Sequence, residues 1–204
     1  MRAFARFAVG VVVGASLGVQ AAQVGSPASE GFGQSVSGLR IGIASSTAEQ
    51  PASGAEFIVV LENTGGSDFV VNLGSMLGNG RVIWPTAVHL LLTSDGTTRD
   101  LRFFDRRYPG IAGRVDDFPV PLRARSRYSF TASLDQYSST ATKELALRLS
   151  PGRYRIAARF DGMGAETGNL DMAGLKLMNF WKGTVQSAAA EFQVVARAQQ
   201  AGGR

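Results

Sequence analysis

The sequence predicts an all-β protein, a single antiparallel β-sandwich of about eight or nine strands with two long loops. Apolar and polar residues alternate with a period of two along many short segments, which is typical of half-buried strands. Glycine is abundant, at 25 of 204 residues, and only 18% of residues are charged, which suits short strands joined by turns. Most connections are too short for crossover helices, so antiparallel pairing is favoured over a parallel sheet.

The chain begins with the pattern of a secretory signal peptide over residues 1–21. Arg2 and Arg6 precede an apolar run from Phe7 to Leu17, and small residues precede a cleavage site after Ala21. A bilayer core of ~30 Å needs ~20 apolar residues, so this run is too short to span it. We therefore expect a protein that is periplasmic or secreted, with no transmembrane anchor after cleavage.

Composition divides the rest of the chain into three parts. Residues 22–37 are small and polar and predict a flexible lead-in, residues 38–196 hold the β-sandwich domain, and residues 197–204 predict a disordered tail. The chain contains no cysteine, so the core must hold the fold without disulfides, and thiolate metal sites and cysteine nucleophiles are excluded.

In the first half of the domain, alternation and β-branched runs predict the strands. Leu39, Ile41 and Ile43 share one face of the first strand. Further strands are expected at 57–61, 69–73, 86–93 and 98–103, with a glycine-rich loop over 74–85. Ser94-Asp-Gly-Thr97 predicts a tight hairpin between the last two.

In the second half, a long crossover is expected over 104–126, because Pro109, Pro119 and Pro121 exclude a central strand there. A short irregular stretch is expected over 135–143, and the second long loop over 161–180. Strands are expected at 128–132, 145–149, 154–160, 181–187 and 190–195.

Leu149-Ser-Pro-Gly-Arg-Tyr154 resembles the tyrosine corner of immunoglobulin-like sandwiches, in which a tyrosine hydroxyl bonds to upstream backbone. Without the cysteine pair of antibody domains, the chain resembles a fibronectin-III-like or bacterial immunoglobulin-like variant. It is also similar to a group of uncharacterised secreted bacterial proteins with this sandwich. The resemblance implies the fold and no activity, and it rests on the segments Asn72–Gly74, Asn79–Gly80, Gly113–Asp116, Pro121–Leu122, Asn169–Met172 and Trp181-x-Gly183.

Eight arginines between residues 99 and 127 form the first candidate binding surface. They include Arg102, Arg106, Arg107 and Arg114, and aromatic residues are interleaved with them. Arginines among aromatics can bind polyanions by charge and by stacking, so an anionic envelope polymer is one expected partner. The alternative is a solvated rim of local Arg–Asp pairs with the aromatics in the core.

Trp84 and Trp181 form the second candidate surface, because each lies in or beside one of the two long loops with several methionines. If the loops meet, these residues form an apolar patch suited to an envelope protein. The alternative is that both tryptophans close the open end of the sandwich.

The sequence does not assemble a catalytic, cofactor or metal site. His89 is the only histidine, and it lies opposite the core face formed by Val88, Leu90 and Leu92. The adjacent acids Asp116 and Asp117 form at most a weak calcium site and more often face Arg114. Removal of the signal peptide leaves a net charge of +3, which does not require a nucleic-acid partner.

These observations together predict an exported, non-enzymatic binding or accessory protein of the cell envelope. One alternative is a proteinase inhibitor, because the Asn63 turn, the Asp95-Gly96 hairpin and the motif 149–154 resemble the BsuPI proteinase-inhibitor fold. A hydrolase is the second alternative, and it would need His89 or the acids to converge in a cleft.

Overall fold

The computed structural model describes residues 31–77, 82–104, 113–139, 147–164, 174 and 177–195. Over these ranges the chain is all-β, with several antiparallel sheets, one 3-10 turn at Leu134–Gln136 and no α-helix. The predicted signal peptide, the tail 197–204 and both Arg106 and Arg107 lie outside the described residues.

The described strands follow one another closely along the chain. They are β1 Gly31–Phe32, β2 Leu39–Ser45, β3 Glu49–Pro51, β4 Glu56–Asn63, β5 Phe69–Leu77, β6 Ile83–Trp84, β7 Val88–Ser94, β8 Thr97–Phe103, β9 Val115–Leu122, β10 Arg127–Ser133, β11 Tyr137–Ser139, β12 Gly152–Gly162, β13 Gly183–Gln186 and β14 Ala190–Val195.

The strands form three sheets among the described residues. A four-stranded sheet has the order β1-β2-β4-β10, and a three-stranded sheet has the order β6-β5-β9. The seven-stranded sheet has the order β11-β8-β7-β12-β14-β3, with β13 also paired to β12. All pairs of named strands are antiparallel except β14 with β3.

The core lies between the four-stranded and the seven-stranded sheets. Strand β2 contacts β12, β13 and β14 across it, and the rings of Phe57 and Phe192 meet edge to face with centroids 5.0 Å apart. The core face predicted for β2 is confirmed, since Leu39, Ile41 and Ile43 are fully buried, but Gly42 and Ala44 on the other face are buried as well, so the strand is not half-buried as predicted. This layered arrangement is consistent with a β-sandwich.

The predicted hairpin between β7 and β8 is present. Ser94 pairs with Thr97, and the two central residues have positive φ angles, 48° at Asp95 and 75° at Gly96. Positive φ at both central positions matches the right-handed twist of the flanking strands, which explains the Asp-Gly sequence.

The first long loop and the crossover differ from their predictions because they pair with each other. Strand β5 continues through residues 74–77, and β9 pairs with it although it contains Pro119 and Pro121. Proline is tolerated because β9 is the end strand of its sheet. The register shifts between Asn72 and Ser75, where Gly74 has a φ of 134° and an added Cβ would lie 2.4 Å from Trp84 O.

The strand predicted over 145–149 is wrong for its described part. Residues 147–150 form no strand, yet Leu147 and Leu149 are buried, and the Leu149 amide donates to Ala52 O. Their alternation therefore reflects an irregular segment that inserts apolar side chains into the core. The bond predicted for the following turn is present, since the Tyr154 hydroxyl donates to Ser150 O at 2.9 Å.

Residues 31–37 are part of the folded domain, in contrast to the predicted flexible lead-in. Phe32 pairs with Gly42, and its ring packs directly on that glycine. A Cβ added to Gly42 would lie only 2.9 Å from the nearest atom of the ring. Val36 bridges to Leu39. The small, polar composition of this segment predicts flexibility. Gly33, however, has no side chain, and its backbone therefore packs closely against Gln186.

Candidate functional site

The arginines predicted as one surface lie on different parts of the fold. Arg102 is exposed on the outer face of β8, whereas Arg114 lies at the start of β9, where its Nε donates to Asp116 at 2.9 Å. Arg123 and Arg125 are exposed in the turn between β9 and β10. The strands that carry the described members belong to three different sheets.

Arg127 belongs to a separate cluster on the outer face of the four-stranded sheet. Its guanidinium lies 3.4 Å from Glu62, which also pairs with Arg40 at 2.6 Å. Both guanidinium groups lie over the ring of Phe32, at 4.3 Å for Arg40 and 5.2 Å for Arg127. These contacts hold β1 against the sheet, so Arg127 has a structural explanation.

Trp181 is buried and packs between separate parts of the chain. It is 5% exposed, and its ring lies 5.7 Å from that of Phe160. Its indole Nε1 donates to the carbonyls of Val36 and Ser37, each at 3.2 Å. The indole therefore connects residues 36–37 to β12. In this structure it is not accessible to a partner.

Trp84 is also buried, at 6% exposed, and pairs with Ser75 in β5. The described ends of the two long loops do lie together, because Gly74, Ser75 and Met163 line one cavity of about 130 Å³. Asn72 joins them by donating to Gly164 O at 3.0 Å. The described ends of the two loops therefore meet, but both indoles face inward. This agrees with the alternative in which the tryptophans close one end of the sandwich and do not form a surface for a partner.

His89 lies in a charged cluster on the outer face of the seven-stranded sheet. The predicted core face of β7 is confirmed, since Val88, Leu90 and Leu92 are fully buried. The Arg159 guanidinium lies 2.7 Å from His89 Nδ1 and donates to Asp100 at 3.1 Å, and its Nε donates to Asp161 at 3.1 Å. We call His89, Asp100, Arg159 and Asp161 the histidine cluster. Its members lie on three adjacent strands, β8, β7 and β12.

The members of the histidine cluster bond to one another, and the hydroxyl of Thr184 donates to Asp161 at 2.9 Å. Burial alone lowers the pKa of Arg159, but the charges and hydrogen bonds of Asp161 and Asp100 outweigh it and raise the pKa. Among the described residues, the groups within hydrogen-bond distance of the imidazole are Arg159 and Asp100, both at Nδ1, and neither is a hydroxyl. The contacts stabilise the sheet face and assemble no Ser–His–Asp site.

The two adjacent acids that were predicted to form at most a weak calcium site bind different side chains of the protein. Asp116 pairs with Arg114, as the alternative expected, and Asp117 is 4% exposed and accepts from Asn72 Nδ2 at 3.1 Å. Within the part of the chain that the structure describes, no group of three or more His, Asp or Glu residues could hold a metal ion.

A groove of about 530 Å³ lies on the seven-stranded sheet, and none of the sequence-predicted site residues lines it. We call it the arginine groove; it is lined by Ala48, by Thr93–Gly96 in the β7–β8 hairpin, by Arg153–Arg155 in β12 and by Glu191–Gln193 in β14. Arg153 and Arg155 are exposed on the same face of β12, and neither has an ion-pair partner among the described residues. The wall combines residues about 60 and 40 positions apart in sequence, so no local motif signals it.

Comparison with known proteins gives no further assignment: no protein family matches the sequence, and no curated protein matches it. None of the described segments is a helix long and apolar enough to cross a membrane.

Proposed function

We propose that this chain is an exported, non-enzymatic immunoglobulin-like β-sandwich of the bacterial cell envelope that binds another protein through the arginine groove. One observation carries the proposal. Arg153 and Arg155 are exposed, unpaired among the described residues, and about 6.6 Å apart along one strand face. Guanidinium groups form bidentate hydrogen bonds with carboxylates, so two of them in a groove suit an acidic side-chain pair.

The charges of the groove favour a protein over an anionic polymer as the partner. Asp95 and Glu191 line the same groove as the two arginines. A uniformly anionic polymer would be repelled by these carboxylates, whereas a protein segment can present both signs in a matching order. The scattering of Arg102, Arg114 and Arg127 over the fold also weakens the case for polymer binding through the 99–127 stretch.

Export is proposed from the pattern of residues 1–21, and the immunoglobulin-like fold from the layered sheets and the Tyr154–Ser150 bond. A binding role is favoured over hydrolysis because His89 is engaged by Arg159 and Asp100 in the histidine cluster. The proteinase-inhibitor alternative would require an exposed extended loop that enters a protease cleft.

The experiment uses a photo-crosslinking amino acid in the full chain expressed in its native cells. Gln193 is exposed in the groove, and Ser129 is an exposed control position on β10 of the other large sheet. We expect irradiation to link position 193, and not position 129, to one envelope protein. Adducts of equal yield from both positions, or adducts only with anionic polymer, would contradict the proposed function.

A further inference from the structure

Strand β10 lies at one edge of the four-stranded sheet and is paired on one side only. All 7 of its residues pair with β4 in one continuous antiparallel register. On the side away from β4, no described strand pairs with β10. A long, regular strand with one unpaired side is a template for a further strand, so this edge is a candidate interaction surface.

The backbone groups of Ser129 and Thr131 point out of this edge. The amide of Asn63, at the end of β4, donates to the carbonyl of Ser126, so the backbone of Ser126 faces β4. In an antiparallel pair, successive residues direct their backbone groups to alternate sides, so those of Ser129 and Thr131 face away from β4. These outward groups have no hydrogen-bond partner among the described residues, and both side chains are exposed.

The other terminal strands of the described sheets are protected against such pairing. Strands β1, β3, β6 and β11 have only two or three residues each. Strand β9 is longer, but it contains Pro119 and Pro121. Val70, which lies opposite Pro121, directs its backbone to Asn179 and Trp181 and therefore away from β9. The two prolines thus face the open side of β9, where they remove the N–H groups that another strand would need. Strand β10 contains neither proline nor glycine.

The two faces of β10 match those of a second copy of the same strand. Ser129 and Thr131 are exposed on the outer face, whereas Tyr128 and Phe130 are half-buried on the inner face. Both aromatic side chains line a cavity of about 190 Å³ beside the strand, and none of its lining residues carries a formal charge. A strand added to this edge must therefore present apolar side chains on its inner face. Pairing around a two-fold axis places the inner face of one β10 beside the inner face of the other, so the second copy supplies aromatic side chains there.

The charges at the two ends of β10 favour an antiparallel second copy. Arg127 begins the strand, and Asp135 is exposed in the 3-10 turn that follows it. Antiparallel pairing brings Arg127 of each copy towards Asp135 of the other and keeps the two arginines at opposite ends. A parallel arrangement would place like charges side by side, so the charge distribution selects the antiparallel one.

We propose that two copies of this chain form a dimer by antiparallel pairing of β10 with β10, which joins their four-stranded sheets into one continuous sheet. The outward backbone groups of Ser129 and Thr131 in each copy then bond to the backbone of the other copy. This inference is independent of the arginine groove, which lies on the seven-stranded sheet.

The first test measures the mass of the full mature chain by sedimentation equilibrium. We expect twice the mass of one chain at high protein concentration and dissociation on dilution. Ser129→Lys/Thr131→Lys is expected to be monomeric, because symmetric pairing would bring like charges opposite one another while the exposed positions leave the fold intact. Thr97→Lys/Gln186→Lys is the matched control, because it adds the same charge at exposed positions of the seven-stranded sheet, and it is expected to remain dimeric.

A charge-exchange experiment separates lost pairing from lost folding. An equimolar mixture of S129K/T131K with S129E/T131E is expected to form dimers that contain one copy of each variant, because opposite charges then face each other across the new pair. Native mass spectrometry identifies such mixed dimers, since the two variants differ in mass. In cells, a photo-crosslinker at position 129 is expected to join two copies of this chain, an adduct that differs in mass from the envelope adduct expected at position 193.

Several results would overturn the proposal. A wild-type chain that stays monomeric at high concentration would do so, as would a dimer that S129K/T131K retains. Equal loss of the dimer in the Thr97/Gln186 control, or no mixed dimer in the charge-exchange experiment, would show that the contact does not run through β10. A crosslink from position 129 to a different protein, with none between copies, would mean that this edge accepts a strand of that protein instead.

Discussion

The Arg159 guanidinium lies 2.7 Å from Nδ1 of His89, at the centre of the histidine cluster. A guanidinium has only donors, so Nδ1 accepts at this distance. Asp100 lies farther from the same nitrogen, at 3.2 Å, and a carboxylate cannot donate to it. The shorter contact therefore favours a neutral ring with its proton on Nε2, which faces Asp161 at 4.0 Å.

This contact predicts the tautomer of His89. In the neutral form of the ring, nitrogen-15 NMR of the imidazole is expected to show a protonated Nε2 and an unprotonated Nδ1. In Arg159→Gln the donor to Nδ1 is shortened and its charge is lost, so the proportion of the Nδ1–H form is expected to rise as Asp100 becomes the nearest charged group to Nδ1. A wild-type ring protonated mainly on Nδ1 would show that Asp100 dominates the cluster.

Two tyrosine variants are expected to change stability in opposite directions. Tyr154→Phe removes the hydrogen bond to Ser150 O and is expected to lower the free energy of unfolding by about 1 kcal/mol. Tyr137→Phe removes a buried hydroxyl without a partner and is expected to leave the free energy unchanged or raise it by up to about 1 kcal/mol. Urea unfolding measures both, and equal losses in the two variants would contradict the difference in their bonding.

The raised pKa of Tyr137 predicts a loss of stability at alkaline pH. Burial favours the neutral hydroxyl in the folded chain, whereas in the unfolded chain it ionises near pH 10. Stability from this group is complete below about pH 10 and falls above it by roughly 1.4 kcal/mol per pH unit, because only the unfolded state releases the proton.

The variant Tyr137→Phe lacks this proton and is expected to show a shallower fall in unfolding free energy between about pH 10 and pH 11. Urea unfolding at several pH values compares the two slopes. Parallel slopes for wild-type protein and the variant would mean that the Tyr137 hydroxyl does not hold its proton in the folded state.

Residues 31–37 are expected to contribute measurably to folding. An added Cβ on Gly33 would lie 1.7 Å from Gln186 O, so Gly33→Ala must displace the N-terminal segment and is expected to cost about 1–3 kcal/mol. Gly66→Ala is the matched control, because nothing lies within 4 Å of its added Cβ. Urea unfolding gives the cost, and limited proteolysis is expected to cut between residues 31 and 39 only in Gly33→Ala. Equal stability of the two variants would contradict the packing of residues 31–37 against the domain and would support the flexible lead-in that the sequence predicts.

Local sequence predicted the parts of the fold that local physics determines. The alternation of Leu39, Ile41 and Ile43 predicted β2, and Asp95-Gly96 predicted the hairpin, since each depends on a few adjacent residues. Pro119 and Pro121 exclude a central strand, as predicted, but they do not exclude an edge strand. Only the tertiary structure shows that β9 pairs with β5 on one side and is the end strand of its sheet.

The candidate sites were harder to predict because their walls combine distant segments. Trp84 and Trp181 stood out by residue type, and only the packing shows that both indoles are buried. Arg153 and Arg155 have no unusual local pattern, and they form a groove only because β14 and the β7–β8 hairpin flank β12. Sequence alternation gives the face of a side chain but not its neighbours across a sheet.

The most direct test of the central claim measures how charge reversal in the arginine groove changes crosslinking from position 193. In Arg153→Glu/Arg155→Glu we expect the adduct with the envelope protein to fall at least about tenfold, because like charges then face the acidic side chains of the partner. Arg102→Glu is the matched control, since Arg102 is exposed on the outer face of the same sheet but outside the groove. Loss of the adduct in the double variant with retention in the control is the result that the account predicts. An adduct that survives reversal of Arg153 and Arg155, or that is lost equally with Arg102→Glu, would contradict it.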